Sequence, residues 1–129
     1  MSQEVKYGAP RPVNKQTIFN KSATHLLRQG KRSQSHPDKA SSRCMYRYDG
    51  LACAVGCLIT DKQADLADDR ESLEDSLEHA RVGWDWRTHY SLLDELQKVH
   101  DAHEPRNWKL ELKDLGKSYG LDVSCLEDF

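Results

Sequence analysis

Three of the four cysteines of this 129-residue chain fall within fourteen positions, at Cys44, Cys53 and Cys57, and a histidine, His100, follows later beside Asp101. Thiol catalysis needs a thiolate, a base within hydrogen-bond reach and a group that orients the base. Cys53 or Cys57 as nucleophile, His100 as base and Asp101 or Asp94 as orienter satisfy that list by residue type. Metal binding needs three or four converging Cys or His ligands. Cys44, Cys53 and Cys57 have eight and three residues between them, which differs from the paired CxxC of zinc ribbons, and His36 is available as a fourth ligand. His100 and His103, at i and i+3, form a weaker pair. Each pattern has a plainer reading. Cysteine packs as a small hydrophobe, and Ala52 and Ala54 flank these thiols. His100 falls on an apolar helical stripe, where histidines usually bond to backbone. The expectation is therefore no metal, no cofactor and no catalytic dyad, with Cys53 largely buried. A cysteine-dependent hydrolase or transferase and a zinc-stabilised module stand as the alternatives.

The thiols sit in Cys44–Thr60, CMYRYDGLACAVGCLIT. Asp49-Gly50 signals a two-residue hairpin turn, because such a turn needs positive φ. With that turn, Tyr48 pairs with Leu51, Tyr46 with Cys53 and Cys44 with Val55, and these six share one face. The predicted hairpin runs from about Cys44 to Ile59.

Helices surround it. Asn14 caps a helix with Ile18, Phe19, Ala23, Leu26 and Leu27 on its apolar face, ending at Gly30. Thr60 and Gln63 form a capping-box signature ahead of Ala64 and Leu66. Ser72 to Val82 carries Leu73, Leu77 and Ala80, with Gly83 as its breaker. Ser91 is placed to cap a helix to about His103, with Leu92, Leu93, Leu96 and Val99 inward and Pro105 as its stop. Asn107 is placed to cap the last helix, carrying Trp108, Leu112, Leu115 and Tyr119, with Gly120 after it. Residues 1–13 read as an extended arm, residues 14–129 as one domain, and Lys31–Ser42 as a polar loop. The expected class is α+β, a helix-rich single domain with one hairpin.

Composition limits the partners. Apolar residues make up 37% and charged residues 31%, and no apolar run is long enough to span a membrane. The N-terminal residues lack the apolar core of a secretory signal, so a cytoplasmic location is expected. The net charge of −2 hides a division: residues 1–47 hold ten bases against two acids, and residues 48–129 hold nine bases against nineteen acids. Arg43, Arg47, Tyr46 and Tyr48 interleave charge and aromatics as single-strand platforms do, but the acidic balance argues against dedicated nucleic-acid binding. Asp61–Glu78 holds eight acids against two bases. Asp68, Asp69, Glu74 and Asp75 are its candidate docking residues, facing either a partner or the basic first third of the chain.

The phrase CMYRYDGLACAVGCLITD resembles small uncharacterised proteins of tailed bacteriophages and some bacteria. Those combine a Cys-x-Tyr-Arg element, a Gly turn and a Cys-Ala-x-Gly-Cys-Leu-Ile element ahead of an acidic helical stretch. Leu96-Gln97-Lys98-Val99-His100-Asp101 and Trp108 resemble a later Leu-Gln-x-His-Asp phrase and Trp. The similarity covers roughly residues 14 to 121, and Thr60 stands where that pattern has Pro. It implies a phage or mobile-element setting, with a host or phage protein as the expected partner, and it transfers no catalytic residue.

Overall fold

The computed structural model describes residues 7–35 and 44–129. In chain order they form α1 (Lys15–Gln29), β1 (Arg47–Tyr48), β2 (Leu51–Ala52), α2 (Asp61–Ala67), α3 (Leu73–His79), α4 (Tyr90–Ala102) and α5 (Trp108–Ser118). Among the described residues, 3₁₀ turns lie at Gly56–Leu58 before α2, at Pro105–Asn107 before α5 and at Ser124–Asp128 after α5. The class is α+β: a small helix-rich domain with, among the described residues, one two-stranded antiparallel hairpin.

Local signals set the helix ends. Asn14 accepts from the Thr17 amide while the Thr17 side chain accepts from the Asn14 amide, a closed capping box, and the Gly30 amide bonds back to Leu26. Thr60 and Gln63 close the same box on α2. Ser72 caps α3 through the Asp75 amide. Two expected caps do not form. α4 begins at Tyr90 after His89, and the Ser91 hydroxyl instead meets the Tyr119 hydroxyl at 2.6 Å. Asn107 makes no side-chain cap, because the 3₁₀ turn before α5 already holds its backbone in a helical conformation.

The hairpin turn is as expected, with Asp49 at φ 50° and Gly50 at φ 79°, and Tyr48 pairs with Leu51. Its length is not. The ladder stops at Arg47 and Ala52, Val55 enters a 3₁₀ turn, and Cys44 bridges Gln34 instead of Val55. The reason is burial. All eight residues from Ala52 to Ile59 are buried, so the segment has no solvent face. Its backbone is satisfied by side chains from helices on both sides. Gln29 of α1 pairs with both the amide and the carbonyl of Ala52 at 2.9 Å, and His25 donates to the same carbonyl at 2.8 Å. Ser22 donates to the Ala54 carbonyl at 2.9 Å, and Gln97 of α4 accepts from the Val55 amide at 3.1 Å. Gly56 permits the turn, since a Cβ there would lie 2.4 Å from the Tyr46 carbonyl oxygen.

The core lies between α1, α4 and α5 and under this buried segment. Phe19, Leu26, Leu92, Leu93, Leu96, Trp108 and Leu112 are fully enclosed. The 7–13 part of the arm docks against the domain. The Gly8 amide donates to the Cys57 carbonyl at 3.2 Å, and Lys21 donates to the Gly8 carbonyl at 2.6 Å.

α3 ends before Gly83. Arg81 takes the left-handed conformation at φ 56°, and the Val82 amide reaches back to the Leu77 carbonyl, closing the helix one residue beyond its cap. A side chain in that conformation is strained, whereas glycine is not. Arg81→Gly should therefore raise the unfolding free energy by about 0.5–1 kcal/mol after the extra freedom of the unfolded glycine is counted. Urea denaturation of the two proteins measures this, and a loss of stability would show that Arg81 makes a compensating contact.

Candidate functional site

A cleft of about 550 Å³ opens between the hairpin, the α2–α3 link and α4, lined by Cys44, Tyr46, Cys53, Arg70, Glu71, Leu73, Asp94, Gln97, Lys98 and Asp101. The α4 stripe that buries Leu93, Leu96 and Val99 also carries His100, which is fully buried against the Trp108 ring at 5.6 Å. The Ser33 amide donates to His100 Nε2 at 2.9 Å, so that nitrogen is the acceptor. Nδ1 therefore carries the proton and donates it to Asp101 Oδ1 at 2.6 Å. Gln97, one helical turn earlier, donates to the same oxygen at 2.9 Å.

The structure brings Cys44 to this pair, not Cys53 or Cys57. The Cys44 sulfur, a His100 ring nitrogen and an Asp101 oxygen all lie within 4.8 Å of one another. Burial, and then the Asp101 carboxylate that accepts its hydrogen bond, push the half-buried Cys44 thiol up to about 12. Cys53 is 1% exposed and its sulfur accepts the Gly56 amide at 3.2 Å; burial pushes its thiol up as well. Cys57 donates to the Ala54 carbonyl at 3.2 Å, and burial pushes it up to about 12 against the opposing charges of Lys21 and Arg47. His36 lies outside the described residues, as does Arg43.

This arrangement decides what the cluster can do. A nucleophile needs a thiolate, and burial raises all three thiols above their ordinary value. A base or a metal ligand needs a free nitrogen lone pair. In His100 the Nε2 lone pair faces the Ser33 amide and Nδ1 holds its proton against Asp101. A metal at Nδ1 would force a proton onto Nε2, directly against the Ser33 N–H. The Cys44–His100–Asp101 group is thus a hydrogen-bonded clasp joining α4 to the segment after α1 and to the approach to β1.

The acidic stretch is two short helices with a break between them. Asp68 is half-buried in the break and accepts the Tyr46 amide at 2.8 Å and the Arg47 amide at 3.3 Å, so it holds the hairpin. Asp69, Glu74 and Asp75 are exposed, as are Asp65 and Glu71. The basic residues of α1 lie elsewhere. Lys15 meets His89, Lys21 meets Gly8, and Arg28 lies over Phe129. Among the described residues, the ion pair that joins the basic first third to the acidic stretch is Arg47–Asp61 at 2.8 Å.

No helix among the described residues is long and apolar enough to cross a membrane. Compared with family models, curated proteins and solved structures, the chain matches none of them.

The raised thiols have a measurable consequence. Each folded thiol stays protonated above the ordinary value of 9.0, where the unfolded chain releases its protons. The native state then binds more protons, so stability is intact below about pH 8 and falls as pH rises from 9 towards 12. Cys53 and Cys57 should each steepen that fall by up to about 1.4 kcal/mol per pH unit. Denaturant unfolding at about pH 8 and pH 10.5 should show the drop, reduced in a Cys53→Ala, Cys57→Ala double variant. Equal stability at both pH values would mean that the thiols ionise in place.

Proposed function

We propose that this chain is a small accessory protein, of the phage type that its Cys44–Asp61 segment resembles, acting in the cytoplasm of a host cell. It binds a host or phage protein through the acid-rich surface of α2 and α3. The observation that carries this reading is the fate of the charges. Asp69, Glu71, Glu74 and Asp75 are exposed and, among the described residues, form no ion pair. Among the described cations of the first third, Lys21, Arg32 and Arg47 bond to backbone carbonyl groups. The capped ends of both helices hold the carboxylates on a fixed scaffold. The partner this surface suits is a protein with a basic face, and complementary charge of this kind acts mainly on association rate and specificity. The commitment of both His100 ring nitrogens weighs against the thiol-hydrolase alternative and against a zinc-stabilised module at this cluster.

Asp68 belongs to the fold, so the informative variant leaves it in place. Asp69→Asn, Glu71→Gln, Glu74→Gln and Asp75→Asn together should leave the melting temperature unchanged, because exposed charges contribute little to stability. The wild type, immobilised in bacterial lysate at low salt, should retain a basic protein that the quadruple variant loses. With that protein purified, association should slow about tenfold in the variant and depend less on salt, since steering acts across a Debye length of roughly 8–10 Å. Equal binding of the partner by both forms would refute the surface. A clear drop in melting temperature would mean that the acids are neutralised internally.

A further inference from the structure

The polarity of the Ser33–His100–Asp101 relay makes it sensitive to a second proton on the ring. Ser33 N–H is only a donor, so its 2.9 Å contact exists only while His100 Nε2 is unprotonated. Nδ1 already carries a proton aimed at Asp101. A further proton must go to Nε2, where two N–H groups would face each other across a hydrogen-bond distance. We propose that His100 is an acid-operated latch: its protonation blocks the return of the Ser33 amide and so holds the segment after α1 released from α4.

The groups around the ring come from every neighbouring element. Asp101 on α4 favours the imidazolium, and its 2.6 Å bond survives protonation as a charge-assisted pair. Opposing it are the Arg32 guanidinium, which donates to the His100 carbonyl at 3.1 Å, and His25 of α1. The Cys44 thiol approaches from the hairpin side, and α5 contributes the uncharged Trp108 ring. Protonation therefore keeps the Asp101 side of the ring and breaks the Ser33 side.

Access fixes the order of events. The His100 side chain is 0% exposed, so solvent reaches Nε2 only after the Ser33 segment has moved away. The proton traps an opened state that forms transiently at neutral pH. Ser33 is coupled to the cleft. Its carbonyl accepts the Met45 amide at 2.8 Å, its hydroxyl donates to the Leu51 carbonyl at 3.4 Å, and Gln34 bridges Cys44. Release of Ser33 loosens the cleft wall that carries Cys44.

Nitrogen-15 NMR of the whole protein tests this between about pH 8 and pH 5, the range in which imidazoles titrate. At the upper end, His100 should show the neutral Nδ1–H tautomer, with a well-protected Ser33 amide. On acidification, Nε2 should gain a proton, and the Ser33 protection factor, corrected for intrinsic exchange, should fall at least tenfold in the same step. Amides in the middle of α4 should stay protected. Asp101→Asn keeps an acceptor for Nδ1–H but removes the counter-charge, so it should move the Ser33 transition to lower pH. Three results would each overturn the latch: an Nε2–H tautomer at pH 8, a doubly protonated ring with Ser33 still protected, or a ring that stays neutral until the whole protein unfolds. If Asp101→Asn does not fold, the wild-type titration alone decides.

Discussion

The guanidinium of Arg47 ties together the part of the fold on which every other element depends. Nη1 donates to the Gly56 carbonyl at 2.6 Å and the Tyr46 carbonyl at 3.0 Å, Nη2 donates to Ile59 at 2.9 Å, and Nε meets Asp61 at 2.8 Å. Its carbon also sits 4.2 Å from the centre of the Tyr7 ring. One planar group thus joins β1, the 3₁₀ turn, the start of α2 and the N-terminal arm. Two of the carbonyls it satisfies, those of Gly56 and Ile59, belong to a buried segment outside the strand ladder, and buried acceptors left unbonded are costly. Arginine suits this place because its donors diverge in a fixed plane, whereas lysine offers a single point charge.

Arg47 is one instance of a wider pattern. Lys21 is bonded to the Gly8 carbonyl, and Arg32 to the carbonyls of His100 and His103 at 3.1 and 2.7 Å. The mirror case is Asp68, whose carboxylate takes two hairpin amides. Charged side chains here close loops by bonding to backbone more than by pairing with each other. Among the described residues, the outward acids Asp69, Glu71, Glu74 and Asp75 consequently stay exposed without an ion pair.

What was legible in the chain was what neighbouring residues decide. The Asn14 and Thr60 caps, the Asp49-Gly50 turn and the α4 stripe each rest on interactions within a few positions. The hairpin was overextended because Ala52–Ile59 gives no alternation, and its true partners, Gln29, Ser22 and Gln97, are polar residues on helices 23 or more positions away. The candidate site was half legible. The His100–Asp101 contact is local, but Ser33 is 67 residues from His100, and Cys44 reaches the pair only because its strand partner is Gln34. Asp68 looked like its acidic neighbours by composition. Its distinction is positional, since it sits in the break between two helices facing the hairpin amides.

The most direct measurement compares two single variants by urea denaturation, because charge pairing and carbonyl bonding predict opposite orders. Arg47→Lys keeps the positive charge beside Asp61 but loses the planar donors, while Asp61→Asn removes the ion pair and leaves the carbonyl bonds. The Asp61 side chain is 88% exposed and that of Arg47 only 17%. The expected result is a loss of about 2–4 kcal/mol for Arg47→Lys, from charged hydrogen bonds to buried carbonyls. Asp61→Asn should change stability by less than about 1 kcal/mol, as for an exposed pair. A mild Arg47→Lys with a severe Asp61→Asn would contradict it, and would mean that the basic third is held by carboxylates after all.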